Sequence, residues 1–340
     1  MEELQTVRAV YFVPFIEILR GLGAPVEREL ENARLPVSIE EHPEDRISNV
    51  LVSRFCERIE LKEGLEDLGW LGSSHYSFSS LSQSMQAALR ARPTVKSRLQ
   101  RLAYLARLES SDAIVGIVQS GASVEIYCDR AKPEEVRGLH ICEWTRLMVL
   151  IEVIRDVMGQ TWSPDVISFQ SNFSVCDDAR QTHPNTRFVK NANRTSITMP
   201  SSVLAAGTAF NRPTCSLQGS EISSVEGLDS LKCLLRSYVR AGTPRIDLLA
   251  EIAGTSTRSL QRILQKEGFS YSQLLEKTRF DMAVEKLQES GNPLVEIAMD
   301  LGYENQSNFS RSFKRISGMS PGAYRRQMLE QGQFANSGAI

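Results

Sequence analysis

One short pattern occurs twice in the last hundred residues of this chain, and the repeat constrains the fold more than any other feature. Each copy has a small alanine that lets two helices approach closely, then a glycine that closes a tight turn. A helix follows, with large apolar residues four positions apart. The pattern predicts two helix-turn-helix units, a module that reads DNA. The aligned pairs are Ala250 with Ala298, Gly254 with Gly302, Leu260 with Phe309, and Leu264 with Phe313.

The charge of the chain is divided unevenly. Residues 230–330 contain 15 Lys/Arg against 11 Asp/Glu, a balance of +4. The whole chain has 39 and 41, so the remainder holds 24 and 30, a balance of −6. A basic region joined to an acidic one predicts a polyanion partner for the first and a different task for the second.

Length and composition indicate a soluble globular protein with two domains: 340 residues, 41% hydrophobic and 24% charged. No basic segment followed by an apolar run opens the chain, so no signal peptide is predicted. The densest apolar stretch, residues 147–154, is too short to span a bilayer. Six cysteines without a Cys-x-x-Cys pair favour a reduced protein over a disulfide scaffold or a zinc site. We therefore expect a cytoplasmic protein that has no cofactor, no metal site and no membrane contact.

The order of hydrophobic patterns predicts an α+β fold, with a mixed helix/strand N-terminal domain followed by an all-α domain. Residues 1–210 form the first domain, and a stretch rich in Ser, Gly, Pro and Thr at 211–227 is the predicted linker. Residues 228–330 form the second domain, and 331–340 a flexible tail. Predicted helices are 15–22, 47–61, 81–108 with a break at Pro93, and 141–158. Predicted strands are 113–118, 123–127, 166–169, 187–189 and 196–199.

In the second domain, a helix at 271–289 joins the two units. Ser256 is a plausible N-cap for the first unit's second helix. Asn292 followed by Pro293 predicts another helix start, with Asn as the N-cap and Pro at the first helical position. The buried residues of the linking helix are predicted to be Leu274, Leu275, Ala283 and Leu287.

The helix after each turn has an outer face suited to DNA. In the first, Leu260, Ile263 and Leu264 should be core, because they share one face. An arginine can bind guanine and a glutamine can bind adenine in the major groove. The alternative is a solvated amphipathic helix that binds no partner. Two such helices in matching frames favour contact with DNA over that alternative. The outer residues are Arg258, Gln261, Arg262 and Gln265 in the first helix and Gln306, Ser307, Ser310, Arg311 and Lys314 in the second.

The repeat, the linking helix and the closing segment 318–325 resemble the AraC/XylS family of bacterial transcription regulators. The resemblance covers about residues 228–326. Tyr303 stands where the family usually has Phe, and Arg245 replaces the usual hydroxyl cap of the first unit. The matching residues of the second half are Ile297, Ala298, Gly302, Phe309, Phe313, Lys314, Gly318, Pro321, Tyr324 and Arg325.

The resemblance implies that the two units enter successive major grooves on one face of double-stranded DNA. By motif position, the predicted base contacts are Arg258, Gln261, Arg262, Gln306, Ser307, Ser310 and Arg311. Contacts to the phosphate backbone add affinity without sequence information. The predicted backbone contacts are Ser256, Gln265, Asn308, Lys314, Arg315, Arg325 and Arg326. RNA polymerase is a further expected partner.

The first domain resembles the partner domain of one branch of that family, which mixes helices and short strands. It does not resemble the jelly-roll domain of the arabinose regulator, because it opens with helices. The resemblance implies effector sensing, homodimerisation, or both, and a domain that only dimerises is the open alternative. Helix 141–158 is the predicted dimer contact. Arg54 and Arg58 share a helical face and could grip a phosphate-bearing ligand such as a cyclic nucleotide, and Arg98 and Arg101 form a similar pair.

An enzyme fused to a DNA-binding module is the remote alternative. The sequence has no Gly-x-Gly-x-x-Gly, phosphate-loop or Gly-x-Ser-x-Gly pattern. Cys128 follows a strand-like run, but Asp129 and Arg130 are not the small residues that a nucleophile elbow needs. The four histidines at 42, 75, 140 and 183 are far apart in sequence, so surface or capping roles are expected for each.

Overall fold

A computed structural model describes residues 4–65, 67–130, 139–207, 227–240, 244–288 and 291–337. The chain divides into two compact units, Met1–Ser224 and Val225–Ile340. The boundary falls within the predicted linker 211–227, of which only Gly227 lies among the described residues.

The first unit mixes helices and strands, as the sequence predicted. The predicted break at Pro93 within residues 81–108 is confirmed, whereas the predicted helix 47–61 begins as a strand. After Pro93, Thr94 and Ser97 form a capping box that starts a new helix. The helices are α1 Val13–Gly21, α2 Val26–Asn32, α3 Asn49–Glu63, α4 Leu68–Ser73, α5 Gln83–Arg90, α6 Val95–Leu105, α7 Leu139–Met158 and α8 Asp177–Thr182. The strands are β1 Thr6–Arg8, β2 Arg46–Ser48, β3 Ala113–Ser120, β4 Ser123–Arg130, β5 Val166–Ser168, β6 Arg187–Val189 and β7 Ser196–Pro200.

The strands form a two-stranded pair, β1 with β2, and a five-stranded sheet in the order β3-β4-β7-β5-β6. The predicted hairpin is confirmed: β3 and β4 pair antiparallel around Gly121, whose φ of 58° suits a glycine turn. β5 and β6 are parallel, and the other neighbours are antiparallel. Short strands interspersed with helices give an α+β architecture and not the paired antiparallel sheets of a jelly roll.

Helix α7 forms the centre of the first unit. Six consecutive residues, 150–155, are buried, so the helix has no apolar side left for a partner. The prediction that this helix mediates a dimer contact is therefore wrong. Trp144 packs edge-on against Trp70 and Phe169, with ring centroids 4.9 and 4.8 Å away. Glu143 of the same helix is fully buried and accepts hydrogen bonds from backbone and hydroxyl groups around the sheet.

Two further expectations for the first unit are corrected by burial. His183 is only 1% exposed, and its Nδ1 lies 2.9 Å from the Ser163 hydroxyl, so it is a core residue and not a surface one. Arg98 is also buried and forms an ion pair with Asp156, which leaves no gripping pair with Arg101. Cys128 lies within β4, paired with Val115 of β3, and not at an elbow.

The described part of the second unit is helical. Helix α13 starts one residue later than predicted, because Pro293 and not Asn292 occupies the N-cap position. The last helix continues to Ser337, so residues 331–337 extend it instead of forming a frayed tail. The helices are α9 Gly227–Val239, α10 Ile246–Ile252, α11 Thr257–Lys266, α12 Tyr271–Gln288, α13 Leu294–Asp300, α14 Gln306–Ser317 and α15 Pro321–Ser337.

The predicted linking helix is confirmed as α12. Its predicted core residues Leu274, Leu275, Ala283 and Leu287 are all buried. Among the helices of both units given above, none combines the length and the apolar character that a bilayer crossing requires.

Candidate nucleic-acid interface

The two turns of the repeat have the same backbone structure. Gly254 has φ 65° and Gly302 has φ 68°, the left-handed conformation that glycine adopts without strain. The residue after each glycine donates to the carbonyl oxygen of the repeat's alanine, at 2.9 Å to Ala250 and 3.0 Å to Ala298. Both alanines are buried, so α10 and α13 approach their neighbours closely. The sequence repeat is therefore a structural repeat.

The second helix of each unit also starts in the same way. Ser256 caps α11, and its hydroxyl accepts from the Ser259 amide at 3.1 Å. Asn305 caps α14, and its side-chain oxygen accepts from the Asn308 amide at 2.9 Å. The sequence predicted the first cap but missed the second. Asn305 could have been found, since Asn is a preferred N-cap and lies 49 positions after Ser256.

The inner faces of α11 and α14 hold the two units together. Leu260 and Leu264 are buried under α11 as predicted, whereas Ile263 is only half-buried. Phe309 and Phe313 are buried under α14, also as predicted. The Phe313 ring lies within 6 Å of three other rings, at 5.0 Å from Phe280, 5.3 Å from Tyr324 and 5.8 Å from Phe309.

The outer face of α11 is exposed and cationic. Its four predicted contact residues, Arg258, Gln261, Arg262 and Gln265, are all exposed. Across the described ranges, neither Arg258 nor Arg262 forms an ion pair or a side-chain hydrogen bond. Their guanidinium groups are therefore available to donate hydrogen bonds to a base edge or to a phosphate.

The outer face of α14 is exposed but partly pre-arranged. Gln306, Ser307 and Arg311 are exposed, and Ser310 is half-buried. The Arg311 guanidinium donates to the side-chain oxygen of half-buried Asn308 at 2.6 Å. That bond restricts the arginine to one side of the helix, which lowers the entropy cost of a bidentate contact.

The predicted backbone-contact residues divide into two groups. Lys314 and Arg326 are exposed. Arg315 forms an ion pair with Glu276 of α12, and the half-buried Arg325 donates to the Asn292 carbonyl at 2.7 Å. The contact made by Arg325 favours a structural role for that residue, because its head group is already used within the unit.

An arginine that the sequence did not single out supports the second turn. Arg279 of α12 donates to the Gly302 carbonyl at 3.0 Å and lies 4.7 Å from the centre of the Tyr303 ring. Burial lowers the pKa of Arg279 from its ordinary value. Gly302 itself has no room for a side chain, since a Cβ there would lie 2.7 Å from the Val239 carbonyl oxygen.

The phosphate-gripping pair predicted on α3 is not assembled. Arg58 donates to the Glu29 carbonyl at 2.9 Å and lies 3.3 Å from its carboxylate. Arg54 is exposed, and neither arginine lines the cavity of the first unit. Within the described parts of the chain, no group of His, Cys, Asp and Glu is arranged to hold a metal ion.

These features define a helix-turn-helix protein with two reading helices in equivalent frames. Comparison with known families agrees: residues 249–327 match a helix-turn-helix domain. Residues 23–180 match a family described as the N-terminal arabinose-binding domain of the AraC transcription regulator. The chain belongs to the AraC-type family of helix-turn-helix transcription regulators.

Individual relatives are similar over about a quarter of the chain. The chain is 39% identical over 82 residues to the ornithine utilization regulator of Pseudomonas aeruginosa, an alignment that covers 24% of each protein. It is 36% identical over 92 residues to VirS of Mycobacterium tuberculosis, which covers 27% of each. The matched segment thus spans about a quarter of the length of these curated relatives. Among solved structures, CdpR from Pseudomonas aeruginosa aligns with 93% of this chain and 98% of its own, at 20% identity and a TM-score of 0.44.

Proposed function

We propose that this protein is a transcription regulator that binds one DNA site through two successive major grooves. The observation that carries the proposal is the equivalence of α11 and α14. The two helices have matching turns, matching N-caps, buried inner faces and exposed polar or cationic outer faces. The N-terminal turn of such a helix is the part that reaches base edges in the major groove.

In this proposal the exposed arginines and glutamines supply sequence preference. Arg258, Gln261 and Arg262 read bases from the first unit. In the second unit the readers are Gln306, Ser307, Ser310 and Arg311. Contacts to phosphate come from Ser256, Gln265, Asn308, Lys314, Arg315 and Arg326, which add affinity that falls with salt. Because one chain carries both units, its site is asymmetric and not a palindrome.

The first unit controls this binding in the same proposal, by taking up a small effector, by forming a homodimer, or both. Because α7 is buried, we place the dimer contact on another surface of that unit. The protein acts in the cytoplasm, has RNA polymerase as a further partner and has no enzyme activity. Cys128 lies within a paired strand, which argues against a nucleophile elbow at that residue.

Selection of sites from random double-stranded DNA by the full chain tests the proposal. The enriched site should contain two specified segments whose centres are one helical turn, about 10.5 base pairs, apart. Arg262→Ala should relax preference in one segment and Arg311→Ala in the other. Lys277→Ala is a matched control, because this exposed lysine of α12 is paired with Asp281 at 2.8 Å. No enrichment, or a site with only one specified segment, would overturn the two-groove proposal.

A further inference from the structure

The first unit contains a cavity of about 90 Å³ that is partly open to solvent. It lies between α3, α6, α7, the segment that leads into α1, and the β3–β4 hairpin. Its walls are mainly apolar, with Phe12, Phe15, Leu102, Val149 and Leu150 among the lining residues. A concave, mostly apolar site with few polar groups is the usual form of a small-molecule site in proteins.

Nearly every polar side chain in the cavity wall already has a partner. Tyr11 donates to Glu109 at 2.9 Å, and the same carboxylate oxygen accepts from Arg8 at 2.7 Å. The other oxygen of Glu109 accepts from the Ser82 amide. Thr145 donates to the Ile141 carbonyl at 3.2 Å. None of these groups needs a ligand to complete its hydrogen bonding.

Arg146 of α7 is the exception among the described lining residues. Its side chain is 10% exposed, and its closest acidic atom is a carboxylate oxygen of Asp112 at 3.8 Å. It forms no side-chain hydrogen bond with any residue that the structure describes. An arginine whose side chain is nine-tenths buried therefore lines an apolar cavity, and its guanidinium donors are free to bind an acceptor that enters.

Asp112 does not satisfy Arg146, because other groups occupy its oxygens. Arg130 donates to Asp112 at 2.9 Å, Ser110 at 2.7 Å and Asn49 at 3.2 Å. Two arginines thus share one carboxylate. Asp129, near the end of β4, lies 3.7 Å from Arg194. Among the described residues, Arg146 thus shares nearby carboxylates with other arginines and forms a hydrogen bond with none of them.

The cysteines in the wall add apolar surface and no charge. Cys56, Cys128 and Cys142 all line the cavity. Burial raises the pKa of the Cys128 thiol to about 11, and burial also raises the pKa of Cys56. A protonated buried thiol behaves as a small hydrophobic group, so Cys56 and Cys128 do not repel an anion.

We propose that this cavity binds a small organic acid, with the carboxylate on Arg146 and a short aliphatic chain among the apolar side chains. Arginine is the residue best shaped to bind a carboxylate with two parallel hydrogen bonds. The volume is below the roughly 150 Å³ of an engineered cavity that takes a benzene ring, so it favours a short chain over a ring. The inference rests on the proposed function in one respect, namely that occupancy of the cavity controls DNA binding by the second unit.

Titration calorimetry of the full chain tests the site without DNA, with pentanoate as the probe. Pentan-1-ol, which lacks the charge, and acetate, which lacks the chain, should each bind at least tenfold more weakly. Arg146→Gln should weaken pentanoate binding at least tenfold, and Arg146→Lys should keep the preference for pentanoate over pentan-1-ol. Val149→Phe should abolish binding because the ring fills the cavity. Arg101→Gln is the control, since this arginine lies outside the lining and stacks 5.4 Å from the Tyr104 ring.

Asp112 keeps Arg130, Ser110 and Asn49 in Arg146→Gln, so that variant should still fold, with some loss of stability because Arg146 also lowers the pKa of Asp112. If it does not fold, the Arg146→Lys and Val149→Phe results decide. Absence of pentanoate binding by the wild type, or equal binding of pentan-1-ol, would overturn the proposal. A change of DNA affinity on adding pentanoate is measured separately. Failure of the chain to bind DNA would therefore count against the proposed function and leave the test of the cavity intact.

Discussion

Ser256 and Asn305 occupy the same position in the two halves of the DNA-binding unit, and each accepts the backbone amide of the residue three positions later. The distances are 3.1 Å at Ser256 and 2.9 Å at Asn305. The two caps differ in chemistry but satisfy the same unpaired amide at the start of a reading helix. This equivalence fixes where each reading helix begins, and hence which side chains its first turn presents.

We predict that Asn305→Ala lowers the free energy of unfolding of the second unit by about 1 kcal/mol, because an alanine leaves the Asn308 amide without an acceptor. Asn305→Ser should retain most of the stability, since a serine can cap in the same way. Thermal unfolding of the full chain, followed by far-ultraviolet circular dichroism, measures both. Ser272→Ala is the control, because Ser272 is exposed on α12. Equal stability of Asn305→Ala and Ser272→Ala would contradict the capping role.

Alanine substitutions at two turn glycines can separate the cost of steric crowding around a new Cβ from the cost of a left-handed backbone conformation. Gly302 and Gly318 both have positive φ, at 68° and 80°. A Cβ at Gly302 would lie 2.7 Å from the Val239 carbonyl oxygen, whereas a Cβ at Gly318 would meet nothing within 4 Å. Both alanine variants should lose about 1–2 kcal/mol to the left-handed conformation. Gly302→Ala should lose about 1–3 kcal/mol more, because the packed backbone must move.

Urea unfolding of the two full-length variants under identical conditions measures the difference. A loss at Gly302→Ala no larger than that at Gly318→Ala would show that α9 gives way without cost, contrary to this prediction.

The second unit could be predicted from the sequence because its pattern occurs twice with the same spacing. Gly254 and Gly302 mark the turns, and Phe309 and Phe313 mark the core, so periodicity and turn chemistry agreed with each other. The cap at Asn305 was missed because polar residues surround it in the sequence. The partner of Arg325 is Asn292, 33 positions away, and no local pattern predicts such a contact.

The first unit was harder to predict because its stability depends on long-range contacts. Helix α7 was recognised, but its apolar residues were assigned to a partner surface. A helix that is apolar on all sides belongs in a core, and Glu152 in its middle is buried because it pairs with Arg155 at 3.0 Å. The short pair β1–β2 was missed, since three-residue strands carry little periodicity. Burial of His183 results from packing beside Trp70, at a ring separation of 5.9 Å.

Two cationic side chains on the outer faces of the reading helices, Arg262 and Lys314, should affect DNA binding differently, the first through a base and the second through a phosphate. Arg262→Ala should weaken binding to the preferred DNA site by about 1–3 kcal/mol and relax preference at one base pair. Lys314→Ala should weaken binding to preferred and scrambled DNA alike. It should also reduce the slope of log affinity against log salt by about 1, because it removes one phosphate contact.

Fluorescence anisotropy titrations of the full chain on both DNAs, at several salt concentrations, measure these effects. If Arg262→Ala weakened both DNAs equally, its assignment to base reading would be wrong. A base-specific loss in Lys314→Ala would likewise exclude a contact to phosphate alone.

His183 should make the first unit less stable in mild acid. Burial, with a smaller contribution from the positive charge of Arg155, lowers the pKa of His183 to about 4 in the folded chain, against about 6.5 for the unfolded one. The unfolded chain therefore binds a proton as the pH falls below about 6.5, while the folded chain does not. The stability contribution is present above that pH and is lost as the pH falls toward 4. Between pH 7 and pH 5 the loss should be about 2 kcal/mol.

Urea unfolding followed by tryptophan fluorescence measures this loss, because Trp70, Trp144 and Trp162 all lie in the first unit. His183→Gln should be less stable at pH 7, but it should lose about 2 kcal/mol less than the wild type between pH 7 and pH 5. His75→Gln is the matched control, since it makes the same substitution at an exposed histidine of the first unit. The wild type and His183→Gln contain the same carboxylates, so the titration of those carboxylates cancels in the comparison, whether burial raises the pKa, as at Asp129, or neighbouring arginines lower it, as at Asp112. An undiminished loss in His183→Gln would mean that another group titrates in this window.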